Sequence, residues 1–434
     1  MIDISMLYCG YRPGSVPHRY GRRADRRVPD DQRMSRARSA SDRRPVVVWN
    51  ITRTCNLRCL HCYSDSGGQR YAQELTTSQA RAVIDDLAAF GVPAVLFSGG
   101  EPLLRADLFE LASHARAGGL HIVLSTNGTL IDATTAERIK AVGFAYVGIS
   151  LDSAIPEVHD RFRGWAGAFE KTMQGLRRCV KVGQKVGLRL TLSGPTVADL
   201  GRVFELIERE RINRACFYHL VPAGRGSDVV ALQPAEARAA IDTILSQTRS
   251  LHERGLGVEV LTVDNHCDGP YLYLKMLGRG DPRAGEVYEL LKWNGGGLYS
   301  SGVGIACIDW LGRVHPDQFW THYSLGNVRQ RPFSRIWTDP AEPLLRGLRD
   351  RKPLLKGRCR LCKFLDLCGG ALRVRAELVR GDPWAADPAC YLTDEEIGLS
   401  EDDIEQLKAR GEYAEAPLGR QSARSLGSDR PEGR

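Results

Sequence analysis

Cys55, Cys59 and Cys62 stand together as Cys-Asn-Leu-Arg-Cys-Leu-His-Cys. Three thiolates on one short loop can ligate three irons of a cubane cluster. The fourth iron then keeps an open position, as a catalytic metal must. A structural zinc site instead closes four ligands, typically as two Cys-x2-Cys pairs, and no second pair stands near this loop. A later group, Cys359, Cys362 and Cys368 followed by Cys390, carries four thiols and so makes a closed site. Its Cys-x2-Cys opening suits a zinc ribbon and an iron–sulfur cluster equally. Seven of the 12 cysteines fall into these two groups, which points to metal or redox work rather than to a disulfide framework.

The elements around these residues follow a regular rhythm. A strand-like run, Val46 to Ile51, leads directly into the first cysteine loop. Thr76 with Gln79 three residues on is a capping-box signature. Ala80, Val83, Ile84, Leu87 and Ala88 then mark one helical face, which Gly91 closes. The spacing predicts further strands at 94–97, 120–124, 146–149, 187–192 and 215–220, and helices at 108–117, 133–142, 169–181 and 197–209. Such alternation implies a parallel sheet with right-handed crossovers. The six units are fewer than the eight of a closed barrel, and their polar residues cluster past the strand ends, where barrel-type folds carry out chemistry. After Leu220 the rhythm breaks into a Gly-rich loop, Ala223 to Ser227, and a helix near 235–254.

Across roughly 45–220, the cysteine loop, the Gly99-Gly100-Glu101 turn after the second strand and the βα alternation resemble the radical SAM superfamily. The resemblance implies an α/β fold with a partial (β/α)6 TIM-type barrel. It implies a [4Fe–4S] cluster on Cys55, Cys59 and Cys62 whose open iron binds S-adenosyl-L-methionine (SAM). One electron then breaks the sulfonium bond and yields methionine and a 5′-deoxyadenosyl radical. Gly99 and Gly100 would let the backbone approach SAM, and Glu101 or the nearby backbone would receive its amine. Ser125, Asn127, Ser150 and Asp152, past the third and fourth strands, would reach the ribose or carboxylate, or would only cap their loops. Arg189 is a charge inside a strand and needs a partner; the SAM carboxylate is a candidate.

The second cysteine group resembles the SPASM extension, a smaller C-terminal iron–sulfur domain. The resemblance implies a second, auxiliary [4Fe–4S] cluster on Cys359, Cys362, Cys368 and Cys390. The full pattern carries two auxiliary clusters, but Ser301, Asp317 and Leu372 stand where further cysteines are expected, so one cluster is predicted. Cys307 reads as a buried free thiol, and Cys9, Cys179, Cys216 and Cys267 as packing. The cluster either conducts electrons or pins its domain.

Several stretches, among them Asn50 to Ser64, Val263 to Tyr273, Lys292 to Gly304 and His315 to Trp320, closely resemble the NirJ family, the radical SAM proteins of heme d1 biosynthesis. That resemblance implies removal of two propionate side chains from 12,18-didecarboxysiroheme. His266, His315 and His322 become candidate proton donors or iron ligands. Arg373 and Arg375 become candidates for tetrapyrrole carboxylates, or a solvated helix face, and Trp293 with Gly295–Gly297 a platform for the macrocycle, or a turn. A heme synthase acting on iron coproporphyrin and a SPASM-type peptide maturase are alternatives. An iron–sulfur electron carrier is the non-enzymatic one, disfavoured because a carrier needs a closed cluster. The expected partners are a tetrapyrrole and a low-potential electron donor such as ferredoxin or flavodoxin.

The chain has 434 residues and a net charge of +8, with much of the excess in an arginine-rich N-terminal stretch. That stretch reads as a solvated arm rather than a nucleic-acid binder. It has no signal-peptide core, and no run approaches the roughly 18 apolar residues of a membrane span. A cytoplasmic location without membrane or nucleic-acid contact is the expectation. The predicted organisation is 1–44 a basic disordered arm, 45–222 the radical SAM core, 223–300 a connecting or substrate region, 301–397 the SPASM-like domain, and 398–434 a helix with a disordered tail.

Overall fold

Apolar runs that end in small or polar residues build the sheet of this computed structural model, which describes residues 1–12 and 44–413. In chain order its strands are β1 (Ile2–Asp3), β2 (Val46–Thr52), β3 (Ala94–Gly99), β4 (His121–Thr126), β5 (Tyr146–Ser150), β6 (Val186–Leu192), β7 (Arg214–His219), β8 (Glu259–Val263), β9 (Ile305–Ile308), β10 (Arg313–His315) and β11 (Gly326–Asn327). They form one sheet in the order β1-β8-β7-β6-β5-β4-β3-β2-β9-β10-β11. Pairing is parallel from β2 through β8 and between β2 and β9. The two margins are antiparallel: β1 on β8, and the β9-β10-β11 meander. β2 to β7 are the six strands expected from the sequence, joined by helices as the alternation requires. The sheet does not close on itself, which fits a partial barrel.

Helices cover the sheet because their apolar stripes have no other place to go. The helix Thr77–Phe90 starts at the expected capping box, with Thr76 Oγ1 accepting from Gln79 N–H at 3.3 Å and Gln79 Oε1 from Thr76 N–H at 3.0 Å. Gly91 ends it in the left-handed region, at φ +79°. Ala80, Val83, Ile84 and Leu87 are its buried face.

Two expectations need correction. The basic arm at 1–44 does not begin at residue 1. Ile2, Ile4, Met6, Leu7 and Tyr8 are buried, β1 pairs with β8, and the helix Ile4–Cys9 packs on the helix Pro234–Glu253. The many arginines further along mask this short apolar run when the stretch is read as one block. Residues 13–43 and 414–434, on which the rest of the arm and the tail were predicted, lie outside the described residues. The break in rhythm after Leu220 is also shorter than it looked. The helix Pro234–Glu253 leads into β8, which adds a seventh parallel strand beside β7. Its Glu259 would be costly to bury alone, but it pairs with Arg214 of β7 at 2.7 Å.

Candidate active site and auxiliary cysteine site

The loop after β2 is held by backbone contacts that only glycine permits. Gly100 N–H donates to Thr52 O at 2.8 Å and Glu101 N–H to Thr54 O at 2.9 Å. A Cβ at Gly99 would lie 2.3 Å from Thr52 O, and one at Gly100 2.2 Å from Thr54 O. The Gly-Gly pair therefore lets the end of β3 press against the cysteine loop. On the other side, a Cβ at Gly224 would lie 2.5 Å from Cys62 O and Tyr63 O, and one at Gly164 2.5 Å from Arg58 O. Arg225, beside Gly224, donates from Nε to Cys59 O at 2.9 Å and from Nη1 to Asp65 Oδ1 at 2.6 Å. The Gly-rich loop at 223–227, which sequence reading left without a role, thus clamps the cysteines.

The three sulfurs sit among donors. Cys55 Sγ receives Leu57 N–H at 3.4 Å, Cys62 Sγ receives Ser66 N–H at 3.4 Å, and Cys59 Sγ receives Arg163 Nη1 at 3.5 Å. Burial pushes the Cys55 thiol up to about 12, the reverse of what an activated nucleophile needs. Two of these cysteines are buried and the third half-buried, and each sulfur accepts an N–H bond, as metal-bound thiolates do. The residues present fit a cluster.

Arg163, which sequence reading missed, joins this loop to the fifth strand end. It is buried and pairs with Asp152 at 2.5 Å while reaching Cys59. Burial alone would raise the Asp152 carboxyl, but the Arg163 guanidinium overrides it and holds the group below its ordinary range. Asp152 is therefore a brace, and its Oδ1 also accepts Thr191 N–H at 3.1 Å. Glu101 and Asn127 are braces too. Glu101 accepts from Leu103 N–H at 3.1 Å, Thr126 Oγ1 at 2.8 Å and Asn127 N–H at 2.8 Å. Burial nonetheless pushes its carboxyl up to about 7. Asn127 Nδ2 donates to Asn56 of the cysteine loop at 2.9 Å.

Ser125, Ser150 and Arg189 instead line a cavity of about 180 Å³ at the strand ends. Arg189 donates to Ser125 Oγ and to Tyr146 Oη, both at 2.6 Å. Its Nε has no hydrogen-bond partner, and none of its hydrogen bonds goes to a carboxylate. A Cβ at Gly148 would lie 2.2 Å from that Nε, so the glycine makes room for the guanidinium. The far wall carries His219, Asp264 and Gln318. Curvature of the sheet brings Val48 of β2 and Asp264 past β8 to the same cavity.

The three candidate histidines of the sequence do not line it. His266 Nε2 contacts the N-terminal amine at 3.2 Å, His315 Nδ1 contacts Tyr323 O at 2.7 Å, and His322 pairs with Glu377 at 2.7 Å. His61 and His219 do line it. Arg373 and Arg375 form no solvated face: both are fully buried. Arg375 pairs with Asp387 at 2.8 Å, and Arg373 serves the carbonyls of Pro383, Ala385 and Gly370. Gly296 and Gly297 pack under the auxiliary loop, where a Cβ would meet Leu367 O at 2.5 Å or Ala371 O at 2.4 Å.

Cys359, Cys362, Cys368 and Cys390 line one small cavity. Cys267, fully buried, lines it as well beside these four. Nothing in its spacing signals this, because it comes from the turn after β8. Ser301 donates its hydroxyl to Asp317, and Leu372 is buried, so the positions of the missing cysteines are filled without thiols.

This architecture defines a class. Residues 49–207 match the radical SAM superfamily, and 301–363 match the SPASM iron-sulfur cluster-binding domain. The native anSMEcpe structure with bound AdoMet superposes with a TM-score of 0.63 at 18% identity, covering 84% of this chain and 98% of that one. Streptococcus suis SuiB bound to its precursor peptide SuiA gives 0.63 at 17%, covering 81% and 76%. The Fe-coproporphyrin III synthase of Methanosarcina barkeri is 54% identical over 92% of this chain and 100% of its own length. The pre-heme d1 synthase of Dinoroseobacter shibae is 44% identical, over 85% and 91%. An AdoMet-dependent heme synthase of M. barkeri is 32% identical, over 80% and 95%. The chain belongs to the radical SAM enzymes of heme synthesis. Its core binds a [4Fe–4S] cluster and SAM, and its SPASM domain an auxiliary iron–sulfur cluster. Among the described residues no helix is long and apolar enough to cross a membrane.

Proposed function

We propose that the enzyme forms Fe-coproporphyrin III from 12,18-didecarboxysiroheme by removing two acetate arms. The observation that carries this reading is the 54% identity to the Fe-coproporphyrin III synthase across that protein's full length. The pre-heme d1 reading, in which two propionate arms leave, has the same substrate and the support of 44% identity. It stands second.

Cys55, Cys59 and Cys62 hold the catalytic cluster, and Cys359, Cys362, Cys368 and Cys390 the auxiliary one. When bound, the catalytic cluster and SAM supply a carbon radical that abstracts hydrogen from substrate. The chain does the rest. Arg189 offers a guanidinium fork to a carboxylate, the SAM carboxylate by preference, since Ser125 and Ser150 lie on the same wall. Gly99 and Gly100 bring the backbone close, and Glu101, Asn127 and Asp152 fix the strand ends from behind. The electron donor is of the ferredoxin or flavodoxin class.

The test is an anaerobic assay with reconstituted enzyme, SAM, a strong reductant and 12,18-didecarboxysiroheme, read by mass spectrometry of the tetrapyrrole. Stepwise loss of two acetate arms is expected. Stepwise loss of two propionate arms would install the pre-heme d1 reading instead. SAM cleavage with the tetrapyrrole unchanged would sink both, and turnover of iron coproporphyrin would then favour a heme synthase.

A further inference from the structure

Among the described residues, Asp264 is the one acidic side chain that lines the strand-end cavity. It follows β8 directly and takes a left-handed backbone, at φ +67°. Aspartate is one of the few residues that tolerates this region, at a cost that surrounding structure must override. The clamp is visible. Arg375 Nη1 donates to the Asp264 carbonyl at 2.8 Å, and Asn265 Nδ2 donates to Ala389 O at 2.8 Å. The Asp264 carbonyl and the side chain that follows it are both tied down, yet Asp264 Oδ2 has no hydrogen-bond partner. A strained, clamped backbone that carries an unbonded carboxyl at a cavity wall is a position built for its side chain.

The groups that face it come from every neighbouring element. They are Asp317 beyond β10, Arg375 of the helix Arg373–Arg380, His219 and Tyr218 of β7, and the N-terminal amine beside β1. Burial and then Asp317 push the carboxyl up, to about 7, while the amine, Arg375 and His219 pull it down. Near neutral pH a substantial fraction then carries a proton. The other titratable groups on the wall serve this need less well. Burial holds His61 down to about 4, so it is neutral. His219 is already bonded to Asp268 at 3.0 Å.

We propose that Asp264 is a catalytic acid, whose carboxyl gives the proton that closes the departing side-chain radical as a free carboxylate. The proposal rests on the side-chain removal argued above. When an acetate arm leaves as the carboxymethyl radical, one electron and one proton convert it to acetate. A C–H bond forms and the O–H bond of Asp264 breaks. The electron comes from a one-electron reductant of the ferredoxin or flavodoxin class, and solvent returns the proton to Asp264. A departing propionate radical would need the same electron and the same proton.

The test compares wild type with Asp264→Asn, which keeps the size and also tolerates the left-handed region. Asp264→Glu is the conservative control. Both clusters are first counted by iron content and EPR. Released acid is then measured per 5′-deoxyadenosine formed, across pH, with the tetrapyrrole product as the check that fragmentation itself occurs. In Asp264→Asn that ratio is expected to fall about 100-fold, the usual size of a lost general acid, with partial recovery in Asp264→Glu. The wild-type ratio should decline as pH rises through about 7, and the Asn variant should show no such decline. An Asn variant with the wild-type ratio and pH profile would overturn the proposal. So would one that has lost its clusters, which would make the residue structural. Wild type that cleaves SAM but releases no acid would fail the substrate reading, and this proposal with it.

Discussion

At the residue scale, the cluster loop depends on side chains that brace it through buried ion pairs and hydrogen bonds. Arg163 is the clearest case. It is a buried cation set between the Asp152 carboxylate and the Cys59 sulfur. Removing one partner of a buried pair leaves the other charge stranded, at about 3–5 kcal/mol. Arg163→Met is therefore expected to lose about that much in denaturant unfolding, and to lose iron from the catalytic site ahead of the auxiliary one. Unchanged stability and iron content would show that Arg163 is dispensable. Glu101→Gln tests the neighbouring brace. An amide nitrogen cannot accept from Asn127 N–H, so one buried donor loses its bond or the group must flip, at about 1–3 kcal/mol. Thermal unfolding of the variant measures it. The cluster cysteines were legible because their spacing is itself the signal. Ser125, Ser150 and Arg189 come together at one cavity, because strand ends in an alternating fold have one common mouth. Arg163 and Cys267 were not legible: one lies in a helix with ordinary spacing, the other past an unrecognised strand. Glu101, Asn127 and Asp152 bond within the protein, which is the loop-capping alternative for Asn127 and Asp152; sequence gives the strand end and not which side its side chains take.

At the scale of elements, three turns do the positioning, and each relies on a close backbone approach. Gly99-Gly100 presses β3 on the cysteine loop, Gly224 seats the loop after β7 on it, and Gly296-Gly297 support the auxiliary loop. Gly224 has φ +54°, a region that costs other L-residues roughly 1–2 kcal/mol before any clash. A Cβ there also meets two carbonyls of the loop at 2.5 Å. Gly224→Ala is thus expected to lower catalytic-cluster occupancy several-fold while leaving the auxiliary cluster intact. EPR spectra with and without SAM separate the two, since only the site with an open iron changes on SAM addition. Equal loss of both clusters would show a global defect instead. The alternation of strand and helix was readable along 45–220 because each element there has its own period and its own stop. The strand β8 was not, because two glycines precede it and a charged residue opens it, and only the Arg214 partner makes that charge tolerable.

At the scale of the whole molecule, the first dozen residues close one margin of the sheet on which the proposed acid sits. β1 pairs Ile2 with Thr262 and Asp3 with Leu261, two strand positions just before Asp264. The helix that follows buries Ile4, Met6 and Leu7. Without it β8 would present an open, apolar edge, which invites pairing with other chains. Ile4 is fully buried, so Ile4→Asp places a charge where none can be solvated, and it neutralises or unfolds its surroundings. The variant is expected to lose at least about 3 kcal/mol, in line with large core losses. It should aggregate on warming, seen as light scattering that rises with unfolding. Because Asp264 follows β8 into the cavity, acid released per 5′-deoxyadenosine should fall at temperatures where the cluster signals still persist. A variant that keeps its coupling up to the temperature at which the clusters are lost would separate the N-terminal clamp from the active site, and would assign it to stability alone.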